Sequence, residues 1–89
     1  MELLYFWKDH CAPCKAAKPI VEQVAKDLNL KVSWLNVREP EGERFITPLG
    51  LMTVPTLVAL KDGKKVFDVS GADLQNGAKL KKRLERVDV

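Results

Sequence analysis

The stretch LLYFWKDHCAPCKAAKPIVEQVAKDL, running from Leu3 to Leu28, decides the fold. Leu3 to Trp7 is a continuous apolar run, too short for a helix and without polar alternation, which is the pattern of a strand buried on both faces in the middle of a sheet. From Pro13 the apolar positions Ala17, Ile20, Val21, Val24 and Leu28 recur at helical spacing, with Lys15, Lys18, Glu22 and Lys26 between them. Pro19 falls inside this helix, where it removes a backbone hydrogen bond and bends the axis without ending it, since the pattern continues beyond. At the junction of strand and helix stands Cys11-Ala12-Pro13-Cys14.

Two cysteines spaced i and i+3 in the first turn of a helix can close a disulfide while the first sulfur stays solvent-facing at the helix tip, so the pair reads as a redox-active dithiol. Free backbone N–H groups and the positive end of the helix dipole stabilise an anion there, and the Cys11 thiolate is expected to form below the ~8.5 pKa of an ordinary thiol. Cys11 is then the nucleophile and Cys14, set deeper, the resolving thiol.

Outward from this unit, Val32, Trp34, Leu35 and Val37 form a second strand after Asn29, completing a βαβ unit with parallel strands. Glu39 to Met52 reads as one shorter helix, acidic at its start and stopped by Pro48 and Gly50. Thr56 to Leu60 and Lys65 to Val69 are strands joined through the Asp62-Gly63 turn. The last helix starts near Asp73, whose side chain can cap it, and carries Leu74, Leu80, Leu84 and Val87 inward. The expected order is βαβαββα.

The length of 89 residues suits one domain, 1–89, with one modest core. The only two cysteines are the adjacent pair, which excludes a scaffold stapled by several distant disulfides. Met1-Glu2 is followed by no long apolar run, so neither a signal peptide nor a membrane span is expected, and the expected location is cytoplasmic. The net charge of +3 is mild. Lys79, Lys81, Lys82, Arg83 and Arg86 crowd the last helix, but Glu85 interrupts them and no aromatics interleave, so they read as a solvated face complementing the helix dipole and not as a nucleic-acid surface.

Phe6-Trp7, the Cys11-Ala12-Pro13-Cys14-Lys15 run, Pro19, Leu35-Asn36-Val37, Val54-Pro55-Thr56 and Gly71 together resemble the thioredoxin superfamily, over nearly the whole chain from Leu3 to Val87. Relative to a full-length thioredoxin the first strand and helix are missing, which leaves a glutaredoxin-sized core. The resemblance implies an α/β minimal thioredoxin fold, a four-stranded mixed sheet with helices on both faces. It also implies a cis bond before Pro55 facing the cysteines, with the Val54 backbone free to pair with an extended substrate. A trans proline opening an ordinary strand is the plainer alternative. Gly71 either lets substrate backbone approach closely or simply permits a turn.

Departures from the family pattern are also informative. Thioredoxins carry a buried aspartate where this chain has Tyr5, and a nearby lysine where it has Trp34, so a charged pair has been replaced by aromatics that imply a drier site. Cys14 would then lose its proton to water, to Cys11, or to a neighbour such as Tyr5 or His10. His10, the only histidine, stands where the family has tryptophan; protonated, it would favour the Cys11 thiolate, and uncoupled, it would be an exposed loop residue. Lys8 and Lys15 add positive potential, and Trp7 flanks the site as a packing residue. Pro13 stiffens the turn and Ala12 replaces the usual glycine, a centre that points toward a potential nearer ~-270 mV than ~-120 mV.

The expected function is that of a thiol-disulfide oxidoreductase: Cys11 attacks a substrate disulfide, and Cys14 resolves the mixed disulfide. The expected partners are disulfide-containing proteins and an electron donor, either a thioredoxin-reductase-type enzyme or glutathione; no nucleic acid, membrane, metal or cofactor beyond the Cys11-Cys14 disulfide is expected, and the chain is expected to be a monomer. A glutaredoxin-like, glutathione-coupled enzyme is the alternative, since Thr53-Val54-Pro55 and Gly71-x-Asp73 resemble glutathione-site elements. A CxxC metal or iron-sulfur module ranks below it, because one CxxC supplies only two of the four thiolates or imidazoles a structural zinc takes.

Overall fold

The fold is built on the Leu3–Trp7 run, and the computed structural model, which describes residues 1–87, makes it the inner strand β1 (Glu2–Trp7). Helix α1 (Ala12–Asp27) follows, then strand β2 (Val32–Asn36), two single-turn helices α2 (Pro40–Glu43) and α3 (Ile46–Leu49), and the hairpin β3 (Thr56–Lys61) and β4 (Lys64–Ser70). A 3-10 turn over Gly71–Gln75 leads into α4 (Gly77–Val87). The last two residues of the expected 1–89 domain lie outside the described residues.

The four strands lie in the order β2-β1-β3-β4, with β1 parallel to β2 and antiparallel to β3. β1 is therefore paired on both edges, as its unbroken apolar run requires. Alternation along the strands divides the core. Leu3 and Tyr5 face the same side as Leu57, Ala59 and Val69, where α1, the 3-10 turn and α4 supply Ala17, Val21, Leu74, Leu80 and Leu84. Leu4 and Phe6 point the other way with Val58 and Leu35, covered by Val37, Phe45, Leu49 and Leu51. Helices thus cover both faces of a mixed four-stranded sheet, as expected. Asp62 and Gly63 both take left-handed backbone angles, φ 53° and 79°, which close the β3–β4 hairpin with the twist that two-residue turns need.

Two expectations for this part of the chain fail. The helix expected over Glu39–Met52 is broken at Arg44–Phe45 into α2 and α3. In a continuous helix Pro48 would confront the carbonyl of Arg44 with a ring in place of an N–H. The break lets Phe45 turn in against Phe6, ring centroids 5.7 Å apart. The cap of α4 is also not Asp73. Leu74, fully buried, draws the chain into the 3-10 turn, and the helix restarts after Asn76, whose Oδ1 accepts the Lys79 N–H at 3.1 Å. Of the basic residues on α4, Arg83 lies over the Phe67 ring at 4.8 Å and Lys81 approaches Asp27 at 3.9 Å. No helix of the described residues is long and apolar enough to cross a membrane.

Candidate active site

Cys11 is the N-cap of α1. Its backbone is extended, its carbonyl accepts the Lys15 N–H at 3.2 Å, and its Sγ accepts the Cys14 N–H at 3.2 Å, standing where a serine or aspartate oxygen stands in most helix caps. Pro13 sits in the first turn, where its missing N–H costs nothing. Cys11 and Cys14 form a disulfide with their Cα atoms 5.2 Å apart. The expected solvent-facing sulfur is not found: Cys11 is 6% exposed, close to the 4% of Cys14. Because the sulfur folds back over the helix end to take the N–H, it is Ala12 and Pro13 that meet solvent.

Behind the disulfide, the Tyr5 hydroxyl donates to the Cys14 carbonyl at 2.7 Å. Tyr5 is buried, and burial pushes its phenol up from 10.0 to about 12, so at neutral pH it is a hydrogen-bond donor holding the Cys14 backbone and not a base waiting on the sulfur. Parallel pairing sets Tyr5 opposite Trp34, and the rings meet edge to face at 5.2 Å. Lys18 lies over the Trp34 ring at 5.5 Å. The two aromatics expected to replace a charged pair do pack together.

The β3 side is made of main chain. The Val54–Pro55 bond is cis, Pro55 is buried, and its carbonyl accepts the Gly71 N–H at 3.1 Å. Gly71 has φ 64°, and nothing lies within 4 Å of where a Cβ would stand, so the backbone angle is what calls for glycine there. The pairing of Phe6 with Thr56 sets Pro55 at the same end of the sheet as Cys11. The Thr56 hydroxyl closes the loop by donating to the Thr53 carbonyl at 2.7 Å.

On the β2 side a cleft of about 500 Å³ opens, with Cys14, Tyr5, Trp7 and Trp34 in its walls. His10 lines it as well, exposed and in a left-handed conformation with φ 59°. Lys8 and Lys15 are exposed on its rim. Three contributors have no signal in local sequence. Asp9, Lys18 and Arg38 reach the cleft from the β1–α1 loop, α1 and the segment after β2. The buried Asn36 joins two of these segments: its amide donates to Asp9 at 3.4 Å and its Oδ1 accepts the Arg38 N–H at 2.9 Å. Its place in the Leu35-Asn36-Val37 run was the available clue. Gly42 permits this corner, because a Cβ there would run into the Asn36 carbonyl. Among the described residues no group of three or more His, Cys, Asp and Glu side chains converges.

The family model described as Thioredoxin matches residues 1–86. Thioredoxin 1 of Synechococcus elongatus is 33% identical over 70 residues, covering 79% of this chain and 65% of that protein. The Rickettsia bellii thioredoxin is 33% identical over 63 residues, 71% of this chain and 60% of its own. The chain thus spans a little under two thirds of the length of these relatives. Among solved structures, a mutant thioredoxin from Halobacterium salinarum superposes with a TM-score of 0.81 at 34% identity, over 96% of this chain and 72% of the other.

Proposed function

Since the chain belongs to the thioredoxin family, we propose that it is a thiol-disulfide oxidoreductase that reduces disulfides of protein substrates. The observation that carries this reading is Cys11 as the helix cap: the N–H that its Sγ accepts in the disulfide would hold the negative charge of the reduced thiolate. In the proposed cycle that thiolate attacks a substrate sulfur, the substrate disulfide breaks, and its second sulfur leaves as a thiolate. Cys14, deprotonated, then attacks Cys11 Sγ, freeing reduced substrate and leaving the Cys11–Cys14 disulfide. The Val54 main chain and Gly71 form the surface along which an extended substrate would lie. Tyr5 and Trp7 support the site from behind.

The partners in this reading are disulfide-bearing proteins and an electron donor, a dedicated reductase or glutathione, with the chain acting as a monomer in the cytoplasm. Insulin reduction with dithiothreitol as donor tests it. Turnover is expected for the native protein, none for Cys11→Ser, and a trapped mixed disulfide for Cys14→Ser. Multiple turnovers by Cys14→Ser would overturn the dithiol cycle. The glutathione-coupled reading is separated by the equilibrium potential of the pair, near ~-270 mV for a reductase-driven protein and near ~-200 mV for a glutathione-coupled one.

A further inference from the structure

The cleft beside Cys14 carries a charge that the proposed exchange does not use. Lys8, Lys15, Lys18 and Arg38 surround it against a single carboxylate, Asp9, and that carboxylate accepts from Asn36. The ion pairs among the described residues, Lys65–Asp68 and Lys81–Asp27, both lie elsewhere. None of the four cations is in an ion pair among the described residues, and the single Asp9 carboxylate leaves the cleft with an excess of positive charge. Asn36 braces the rim by tying the Asp9 loop to the Arg38 backbone, and Trp7, Tyr5 and Trp34 supply low-dielectric walls that strengthen the field inside. The volume of about 500 Å³ is that of a small-molecule site.

Two of the lining residues fix the position of this site relative to the chemistry. His10 is the chain neighbour of Cys11, and Cys14 is its disulfide partner, while Cys11 itself does not line the cleft, so a molecule held there meets the disulfide from the Cys14 side. The Val54–Pro55 and Gly71 elements do not line it. A small donor can therefore approach on a side that leaves the main-chain surface free for protein.

We propose that this cleft gathers the electron donor of the cycle, and that the donor is a low-molecular-weight thiol bearing carboxylates. The proposal rests on the thiol-disulfide exchange argued above and names its reductant class. The donor thiolate attacks Cys14 Sγ, the sulfur on the cleft side; a donor-sulfur to Cys14 bond forms, the Cys11–Cys14 bond breaks, and the electron pair leaves on Cys11, where the Cys14 N–H receives the charge. A second donor thiolate attacks the donor sulfur of the mixed disulfide and expels the Cys14 thiolate, which takes a proton from water. Two donor thiols become one donor disulfide, and the two electrons they lose are those that reduce Cys11 and Cys14. Lys18 and Arg38 bind the carboxylates, Lys18 by swinging from the face of Trp34.

The test measures the rate at which the oxidised protein is reduced by mercaptosuccinate, 2-mercaptoethanol and cysteamine, each expressed per thiolate present, by alkylation quench and mass. The dianionic thiol is expected to exceed the neutral one by roughly tenfold at low ionic strength, and the cationic one to fall below it. Added salt should collapse the spread. Lys18→Gln combined with Arg38→Gln, both exposed and so compatible with folding, should bring the mercaptosuccinate to 2-mercaptoethanol ratio close to one. Lys79→Gln combined with Lys82→Gln on α4, the same change of charge outside the cleft, should leave it at the native value. A native ratio near one overturns the proposal while insulin reduction with dithiothreitol still stands. A ratio that survives the double substitution also overturns it, because the preference would then come from the net charge of the chain. Failure to reduce insulin with dithiothreitol would remove the underlying exchange itself.

Discussion

On the β3 side of the Cys11–Cys14 disulfide the main chain does most of the holding, through the Gly71 N–H on the Pro55 carbonyl, with the Thr56 hydroxyl as the one side chain, donating to the Thr53 carbonyl. On the β2 side the holding is done by side chains: Tyr5 on the Cys14 carbonyl, Trp34 against Tyr5, Lys18 over Trp34, and Asn36 between Asp9 and Arg38. A surface of main chain offers the same donors and acceptors whatever residues cover it, which suits partners recognised through their own backbone. A surface of side chains changes its chemistry with each substitution. The β2 side carries the aromatic pair of this chain, Tyr5 against Trp34, in the walls of its cleft.

The largest test of this contrast is Tyr5→Ala, which removes a buried ring from the side-chain flank and should cost about 3–5 kcal/mol of stability in urea denaturation. A loss under about 1 kcal/mol would mean that the aromatic pair does not hold the flank. Next comes the phenol itself. With its pKa raised to about 12 in the fold, Tyr5 stays protonated while an unfolded tyrosine ionises near 10.0. Its contribution is fully present below pH 10 and is lost as pH rises from 10 to 12, on the order of 2–3 kcal/mol in all. Denaturation curves of the native protein and Tyr5→Phe should differ in slope across that window and run parallel below it. Parallel curves throughout would show an unperturbed hydroxyl.

The same substitution made on each flank sharpens the comparison further. Gly42→Ala drives a methyl into the Asn36 backbone carbonyl and should cost roughly 1–3 kcal/mol while disturbing the rim that Asn36 braces. Gly71→Ala meets no neighbour and pays only for its left-handed backbone angle, about 1 kcal/mol. If insulin reduction by Gly71→Ala falls far more than this loss of stability explains, substrate backbone passes over Gly71. Equal stability losses at the two positions would erase the distinction between the flanks.

Much of the fold was legible in local pattern. The unbroken run Leu3–Trp7 foretold an inner strand, and Asp62-Gly63 marked a hairpin turn between β-favouring runs. The CxxC at the start of a helical stripe foretold a cysteine pair at the tip of α1, though not that Cys11 would cap the helix. The errors arose where a distant contact overrode a local preference. Phe45 leaves the expected helix to reach Phe6, and Leu74 pulls the chain into the core before α4 begins, so that Asn76 and not Asp73 becomes the cap. The rim of the cleft was invisible for the same reason: Asp9 and Asn36 stand 27 residues apart.

The sequence by itself determined the strand-to-helix junction, the cysteine pair set on it and the order of the strands, because periodicity, proline placement and turn chemistry act within a few residues. Tertiary structure alone decided that Cys11 would be buried, that the Tyr5 hydroxyl would hold the Cys14 backbone and not its sulfur, and that Lys8, Lys18 and Arg38 would share one cleft. Those outcomes depend on the parallel pairing of β1 with β2, which sets Tyr5 opposite Trp34 and brings together side chains from three separate segments. A side chain's hydrogen bonds and local charge are set by whichever groups packing delivers to it, and no short-range pattern encodes that delivery.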